Sequence, residues 1–204
     1  MNRTFLVIVG VFLTIAFSLS GLVLIPNWQF QEHQPVRNAR DGSQYPNPYY
    51  GLARQGRDVY VDQGCAYCHS QQVRAKGYGA DIRRNWGNRR TVARDYMYEY
   101  PILLGTMRTG PDLANIGARQ PARDWHYLHL YNPQITSAGS VMPRYQYLFR
   151  TIRAGEMVPA GAIPLPAAFQ SEGTHILPTA RGEQLVEYLR AQNRTFPLPE
   201  AKQP

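Results

Sequence analysis

An uncharged run near the N-terminus constrains this chain of 204 residues more than any other feature of its sequence. The run extends from Phe5 to Ile25 without an acidic or basic side chain, and Pro26 closes it. As a helix it would span about 32 Å, close to the roughly 30 Å of a bilayer core. Arg3 lies before the run and the aromatic residue Trp28 lies after it. This pattern predicts a membrane helix with a cytoplasmic N-terminus and the following chain outside.

A cleaved signal peptide is the alternative interpretation of the same run. Ser18-Leu19-Ser20 loosely resembles a small-x-small cleavage site. Cleavage there would leave the apolar stretch 22–25 at a new N-terminus, whereas the whole run has the length of a membrane span. We therefore favour a retained transmembrane anchor over residues 1–26. In both interpretations the remainder of the chain is exported.

Composition and periodicity divide the rest of the chain into a linker and one helical domain. Residues 27–50 contain several prolines and little apolar periodicity, which is typical of a linker. Within residues 51–204, strand signals are scarce and the stretch 70–110 has no long periodic segment. We therefore predict a mainly α fold with long loops. Helical patterns extend from Gly51 to about Gly64, from Pro121 to Asn132 and from Ala180 to Asn193.

Both cysteines of the chain lie in one motif, Cys65-Ala66-Tyr67-Cys68-His69. Two cysteines are too few for a disulfide scaffold, a four-cysteine zinc site or an iron–sulfur cluster. C-x-x-C-H is the attachment signature of a c-type haem, because two thiols one helical turn apart reach the two vinyl groups and the next histidine reaches the iron. We therefore predict one covalently bound haem c, attached through Cys65 and Cys68, with His69 as an iron ligand.

Other uses of this motif fit the sequence less well. A zinc site would need two further ligands, and the remaining histidines have no suitable spacing. A thioredoxin-like dithiol would need a βαβ pattern, which the sequence does not show. A disulfide between cysteines this close would be strained and would stabilise little. An exported chain, in contrast, reaches the compartment in which c-type haem is attached.

The second axial ligand of the iron is open among several methionines and histidines. Met142 precedes Pro143 on a loop between two predicted helices, and a thioether ligand needs a stiff loop to cover the far face of the haem. We predict Met142 as this ligand, with a bis-histidine site as the main competitor. Methionine ligation favours an electron-transfer haem that does not bind oxygen. The other candidates are Met97, Met107, Met157, His126, His129 and His175.

The segments Thr109–Leu113 and Gly117–Arg119 follow the haem motif. Together with Cys65–His69 they resemble the class I cytochrome c pattern. This resemblance implies a class I cytochrome c domain over residues 51–204. It also implies that the Pro111 carbonyl accepts a hydrogen bond from the axial His69 and fixes the orientation of its ring. A crossing of the first and last helices of the domain is implied as well, formed by Gly56, Tyr60, Tyr188 and Leu189.

A set of short motifs extends over most of the chain, in addition to the N-terminal anchor. They are Gly56–Tyr60, Gly64-Cys65, His69–Gln71, Arg108–Leu113, Asp124–His126, His129–Pro133 and Met142-Pro143. Over roughly residues 5–150 the chain thereby resembles the mono-haem subunit II of cbb3-type cytochrome c oxidases.

This narrower resemblance implies an electron-transfer subunit of an oxidoreductase complex, with no substrate chemistry of its own. The subunit would lie in the bacterial inner membrane with its haem domain in the periplasm. Its partners would be the haem–copper catalytic subunit, other cytochrome c subunits, a donor cytochrome c and membrane lipid. Two alternatives share the anchor and the haem: the small haem c subunit of a nitric oxide reductase, and a free-standing membrane-anchored cytochrome c.

The chain is basic, with 22 Lys and Arg against 14 Asp and Glu and a net charge of +8. Residues 74–94 contain seven basic residues and one acid, Asp81, with aromatic residues between them. This pattern is typical of single-stranded nucleic-acid binding, which we do not expect of an exported haem domain. We expect Arg108 to pair with a haem propionate, and the arginines of residues 83–94 to face anionic lipid or an acidic partner surface.

Overall fold

The structure is a computed structural model that describes residues 3–38, 41–153, 160–171 and 173–202. The chain divides into two units, of which the first contains Met1–Asn47 and Val92–Glu99. The second unit contains Pro48–Thr91 and Tyr100–Pro204. Met157, one candidate for the second iron ligand, lies outside the described residues.

The first unit begins with a continuous helix of 29 residues, Arg3–Gln31. It is an α-helix over Arg3–Leu19 (α1), a π-helical turn over Ser20–Leu24 and an α-helix again over Ile25–Gln31 (α2). It is long and apolar enough to cross a membrane, and its most apolar window is not buried against the rest of the described chain. These features are those of a membrane anchor.

The helix continues past Pro26, which closes the uncharged run in the sequence. Proline has no N–H to donate and its ring crowds the carbonyl four residues earlier, so it normally breaks a helix interior. Here the wider π turn comes directly before it, with the Ile25 N–H bonded to the Ser20 carbonyl. Pro26 thereby falls in the first turn of α2, where the missing donor is tolerated.

The predicted linker contains ordered structure. Val36–Arg37 (β1) pairs antiparallel with Gln44–Tyr45 (β2). The Tyr45 hydroxyl donates to Asp95 Oδ1 over 2.5 Å, and Asp95 lies in the 3₁₀ turn Ala93–Tyr96. The hairpin and this distant turn therefore belong to the same unit.

The core of the second unit is the crossing of two helices, Gly51–Asp62 (α3) and Ala180–Ala191 (α6). Gly56 makes the close approach possible, because a Cβ there would lie 1.8 Å from the Gln184 carbonyl oxygen. Tyr60 and Tyr188 are fully buried with ring centroids 5.3 Å apart. The helix crossing implied by the class I resemblance is therefore present.

Two further helices pack beside this crossing. Arg123–Tyr131 (α5) begins two residues after the predicted start and ends before Asn132, whose Oδ1 accepts from the Gln134 N–H over 3.2 Å. The short helix Ile116–Arg119 (α4) was not predicted. It contacts the last turn of α6 closely, since a Cβ on Gly117 would lie 1.9 Å from the Arg190 carbonyl oxygen.

A second antiparallel pair, also missed from the sequence, joins Phe149–Arg153 (β3) to Thr174–Pro178 (β4). Phe149 and Ile152 of β3 and Ile176 and Leu177 of β4 are buried. The β4 strand leads directly into α6, where the Thr179 hydroxyl oxygen accepts from the Gly182 N–H over 3.3 Å and caps the helix. The pair therefore sets the position at which α6 begins.

The arginine-rich stretch holds the segment that follows α6. Arg89 is 6% exposed and its Nε donates to the Phe196 carbonyl over 2.6 Å. Arg90 donates to the Glu200 carbonyl over 2.6 Å. The expectation of a lipid-facing or partner-facing side chain is therefore wrong for Arg89, because its buried guanidinium donates hydrogen bonds to carbonyls of the same chain. Arg83 and Arg84 are exposed, and for them it stays a prediction.

Candidate haem site

The two cysteines lie on a tight turn directly after α3. Gly64 adopts a left-handed conformation, with φ of 68°, that ends the helix and starts a 3₁₀ turn over Cys65–Tyr67. The Cys68 and His69 N–H groups both donate to the Cys65 carbonyl, over 3.2 and 3.0 Å. Both thiols are free, with Cys65 half-buried and Cys68 exposed. This turn therefore presents two thiols and one imidazole from five consecutive residues.

The Cys65 thiol is protected from ionisation by its surroundings. Burial raises its pKa to about 12, and the nearby Cys68 adds to that effect. In this folded form the Cys65 sulfur is therefore a neutral thiol at physiological pH.

The His69 ring is oriented by a backbone carbonyl. Its Nδ1 lies 2.7 Å from the Pro111 carbonyl oxygen, so Nδ1 carries the proton and Nε2 keeps its lone pair. Burial lowers the pKa of His69, and the Pro111 hydrogen bond opposes that effect without cancelling it. The imidazole is therefore neutral near pH 7, which is the form that binds a metal.

Two glycines let the chain wrap closely around this histidine. A Cβ on Gly110 would lie 2.2 Å from His69 Cε1. A Cβ on Gly105 would lie 2.5 Å from the His69 carbonyl oxygen, and Gly105 also has a positive φ of 72°. Gly105 was not predicted as a site residue, because nothing near it in the sequence indicates contact with a residue so far away in the chain.

Apolar side chains beside the motif are only partly covered by the protein. They pack against the buried core while keeping some surface open to solvent. A porphyrin is a large apolar ring, so such a surface fits it, as do two free thiols and an imidazole with an open Nε2. The residues present therefore fit a haem c. The partly buried residues that pack against this core include Cys65, Ala66, Leu103, Trp125, Met142 and Tyr145.

Met142 is half-buried on a loop that is fastened to α5. Its N–H donates to Ser140 Oγ over 3.3 Å, and three residues later the Tyr145 N–H donates to the Leu130 carbonyl over 2.9 Å. Its assignment as the second axial ligand stays a prediction. Of the other methionines, Met107 is largely exposed and Met97 belongs to the first unit.

The histidine candidates differ in how far the protein engages them. His126 is buried with its Nε2 2.8 Å from the Gln120 carbonyl oxygen. His129 has its Nδ1 2.5 Å from Thr136 Oγ1 and stacks on Trp125, with ring centroids 4.8 Å apart. Burial, together with the nearby His69 and His126, lowers the pKa of His129 to about 4. The contacts of His126 turn its ring into the protein, which weakens it as an iron ligand.

Arg108 is engaged in a polar network within the protein. Its Nε donates to Ser70 Oγ over 2.8 Å, and its terminal nitrogens donate to Asp81 Oδ1 and to the Gln72 carbonyl. The guanidinium also lies over the Trp86 ring at 5.3 Å. Through these contacts Arg108 joins several loops. The prediction that Arg108 pairs with a haem propionate stays a prediction.

A helical domain with an apolar N-terminal helix, a C-x-x-C-H turn and a histidine held by a proline carbonyl is a membrane-anchored c-type cytochrome. The family described as "Cytochrome C oxidase, mono-heme subunit/FixO" matches residues 1–162, and the chain belongs to this family. It is a mono-haem subunit of a cbb3-type cytochrome c oxidase, with a haem c motif at Cys65 and Cys68. No curated protein matches the chain.

The family match includes α3 and the whole haem motif but ends before β4 and α6. Membership in an oxidase complex implies partner subunits from that complex. The alternative as a nitric oxide reductase subunit is therefore not favoured.

Proposed function

We propose that this chain relays single electrons from a donor cytochrome c to the haem–copper catalytic subunit of its oxidase. The observation that carries the proposal is the His69 ring, with Nδ1 held by the Pro111 carbonyl and Nε2 open, beside the exposed Cys68. Such a ring provides a fixed iron ligand at the protein surface. An electron-transfer centre needs both a fixed ligand and a position near the surface. The geometry around the iron must change little between its two oxidation states, and the haem edge must stay close to the electron donor and acceptor.

The bound haem would supply a one-electron couple, and the residues of this chain would set its position and potential. Cys65 and Cys68 attach one porphyrin edge to the turn after α3. His69 would bind the iron through Nε2, while Pro111 holds the Nδ1 proton and so fixes the ring orientation. Met142 would supply the second iron ligand, and a thioether in that role would raise the potential and exclude oxygen.

We further propose that the anchor spans the bacterial inner membrane, with the N-terminus in the cytoplasm and the haem domain in the periplasm. Arg3 before the apolar segment supports the cytoplasmic N-terminus, and Trp28 after the segment is typical of a membrane interface. A tag that carries a reactive cysteine can be fused to either end of the chain. Labelling of intact cells with a thiol reagent that does not cross the membrane would then report which end of the chain is accessible from outside.

The relay role is tested on the native complex. We expect a complex purified through a tag on this chain to contain copper and to consume oxygen when supplied with a reduced donor cytochrome c. A complex with non-haem iron that consumes nitric oxide would contradict the proposal in favour of a reductase. An isolated chain with no partner subunit would instead favour a free-standing cytochrome.

The methionine ligand is tested by optical spectroscopy. We expect the oxidised wild-type protein to show the near-infrared methionine–iron charge-transfer band, and the Met142→His variant to lack it. The Met107→Leu variant is the matched control, because Met107 is exposed and should leave the band intact. Persistence of the band in Met142→His would exclude Met142 as the ligand.

A further inference from the structure

A buried carboxylate lies next to the residue that orients His69. Asp112 is completely inaccessible and follows Pro111 in the chain. Its Oδ2 accepts from Ser70 Oγ over 2.6 Å and from the Gln72 N–H over 2.7 Å. Its Oδ1 accepts from the Ala114 N–H over 2.8 Å. A carboxylate satisfied in this way is held in one position, because each of these donors would be left unpaired without it.

These hydrogen bonds join two segments that lie far apart in the sequence. One segment contains His69 and continues through Ser70 to Gln72, and the other contains Pro111. The Gly110 N–H donates to the Cys68 carbonyl over 3.0 Å, and the Leu113 N–H donates to the Ser70 carbonyl over 2.8 Å. Asp112 lies between these two contacts. It therefore holds together the segment that carries the imidazole and the segment that carries its acceptor.

The Asp112 charge is only partly balanced by its surroundings. Arg108 has a nitrogen 3.7 Å from Asp112 Oδ2, but it approaches Asp81 Oδ1 more closely, at 2.5 Å. A second guanidinium, that of Arg119, donates to the Asp112 main-chain carbonyl rather than to its carboxylate. Burial alone would raise the pKa of Asp81, yet hydrogen bonds from Arg108 and Arg74 hold it below its usual value. Arg108 is thus shared between two carboxylates.

Asp81 is a second buried carboxylate that binds the same arginine, but its contacts differ from those of Asp112. Asp112 accepts from Ser70, the residue that follows His69. Asp81 accepts from the Arg74 N–H and from Arg108. The two carboxylates therefore share burial and an ion pair but differ in how directly they contact the segment that carries the imidazole.

We propose that Asp112 is a positioning residue for the axial histidine: it holds the Pro111 carbonyl against His69 Nδ1, and its buried negative charge favours the oxidised haem. The proposal rests on the proposed function, because it requires that His69 bind the haem iron. A negative charge near the iron stabilises the more positive ferric state, so its removal raises the reduction potential.

The test compares Asp112→Asn with Asp81→Asn in the full haem-loaded chain. At a fixed applied potential we expect Asp112→Asn to raise the ferrous-to-ferric ratio about tenfold, which is about 59 mV for one electron. Asp81→Asn should change this ratio by less than about twofold, because Asp81 accepts from Arg74 and Arg108 rather than from the residue next to His69. Equal shifts in the two variants, or no shift in Asp112→Asn, would overturn the proposal.

Ser70→Ala provides a second variant with the opposite expected sign. It keeps the Asp112 charge but removes one hydrogen bond that disperses it, so the ferrous-to-ferric ratio should fall. A purely structural role for Asp112 would move both variants in the same direction, and that result would contradict the proposal. When Asp112→Asn fails to fold, an unchanged or raised ferrous-to-ferric ratio in Ser70→Ala still contradicts the proposal.

Amide hydrogen exchange separates this proposal from the function on which it rests. We expect the Gln72 and Ala114 amides to exchange faster in Asp112→Asn than in wild type, with or without haem. A wild-type chain that takes up no haem would contradict the proposed function, whereas unchanged exchange at both amides would contradict the holding role of Asp112.

Discussion

The Cys65→Ala, Cys68→Ala double variant is expected to retain no covalently bound haem. The two thiols are the only cysteines of the chain, and both would form thioether bonds to the porphyrin. Haem staining after denaturing electrophoresis measures this directly, because only covalently attached haem stays with the polypeptide. We expect each single variant to keep a weaker signal through its remaining bond.

Tyr67→Ala is the matched control for this prediction. Tyr67 lies between the two cysteines and is 79% exposed, so its loss changes the motif without removing a thiol or a buried contact. We expect this variant to stain like wild type. Full staining of the double-cysteine variant would show that the haem is attached elsewhere and would contradict the site assignment.

The Gly56→Ala variant is expected to cause the largest loss of folding stability. Its new Cβ would lie 1.8 Å from the Gln184 carbonyl oxygen and 2.8 Å from Tyr188 Cβ. Neither neighbour can rotate away, because one belongs to the α6 backbone and the other is the first atom of a buried side chain. The two helices must separate, at a cost of about 3 kcal/mol in the free energy of unfolding.

Thermal unfolding of the haem-loaded chain measures this effect. For a chain of this size the loss corresponds to a decrease of roughly 6–12 °C in the melting temperature. Asp58→Ala on the same helix is the control, since Asp58 is exposed and pairs only with Arg54 at the surface. It should change stability by about 0.5 kcal/mol or less. A melting temperature for Gly56→Ala equal to that of this control would contradict the close crossing.

Local signals in the sequence predicted the helices and the haem turn well. C-x-x-C-H contains both attachment thiols and the iron-binding histidine within five consecutive residues, so this prediction does not depend on the fold. The apolar spacing likewise predicted α3, α5 and α6 to within a few residues at each end. The continuation of the N-terminal helix past Pro26 was not predicted. It depends on the π turn that precedes Pro26, and no residue pattern in the sequence indicates such a turn.

Features that depend on distant residues could not be predicted in this way. The pairing of β3 with β4 joins short segments on either side of the proline- and alanine-rich residues 154–172, and neither segment shows a strong strand pattern. The role of Asp112 depends on Ser70, 42 residues away. The count of basic residues in 74–94 indicated a charged surface, yet Arg89 is buried because carbonyls from the C-terminal segment satisfy its guanidinium.

The pairing of α3 with α6 has a consequence for the order of events during synthesis. Gln55 on α3 contacts Gln184 on α6, 129 residues later in the chain. The haem motif follows α3 directly, so it is synthesised long before its partner helix. The complete packing of Cys65 against the core, which raises the pKa of its thiol, therefore forms only after α6 has been made.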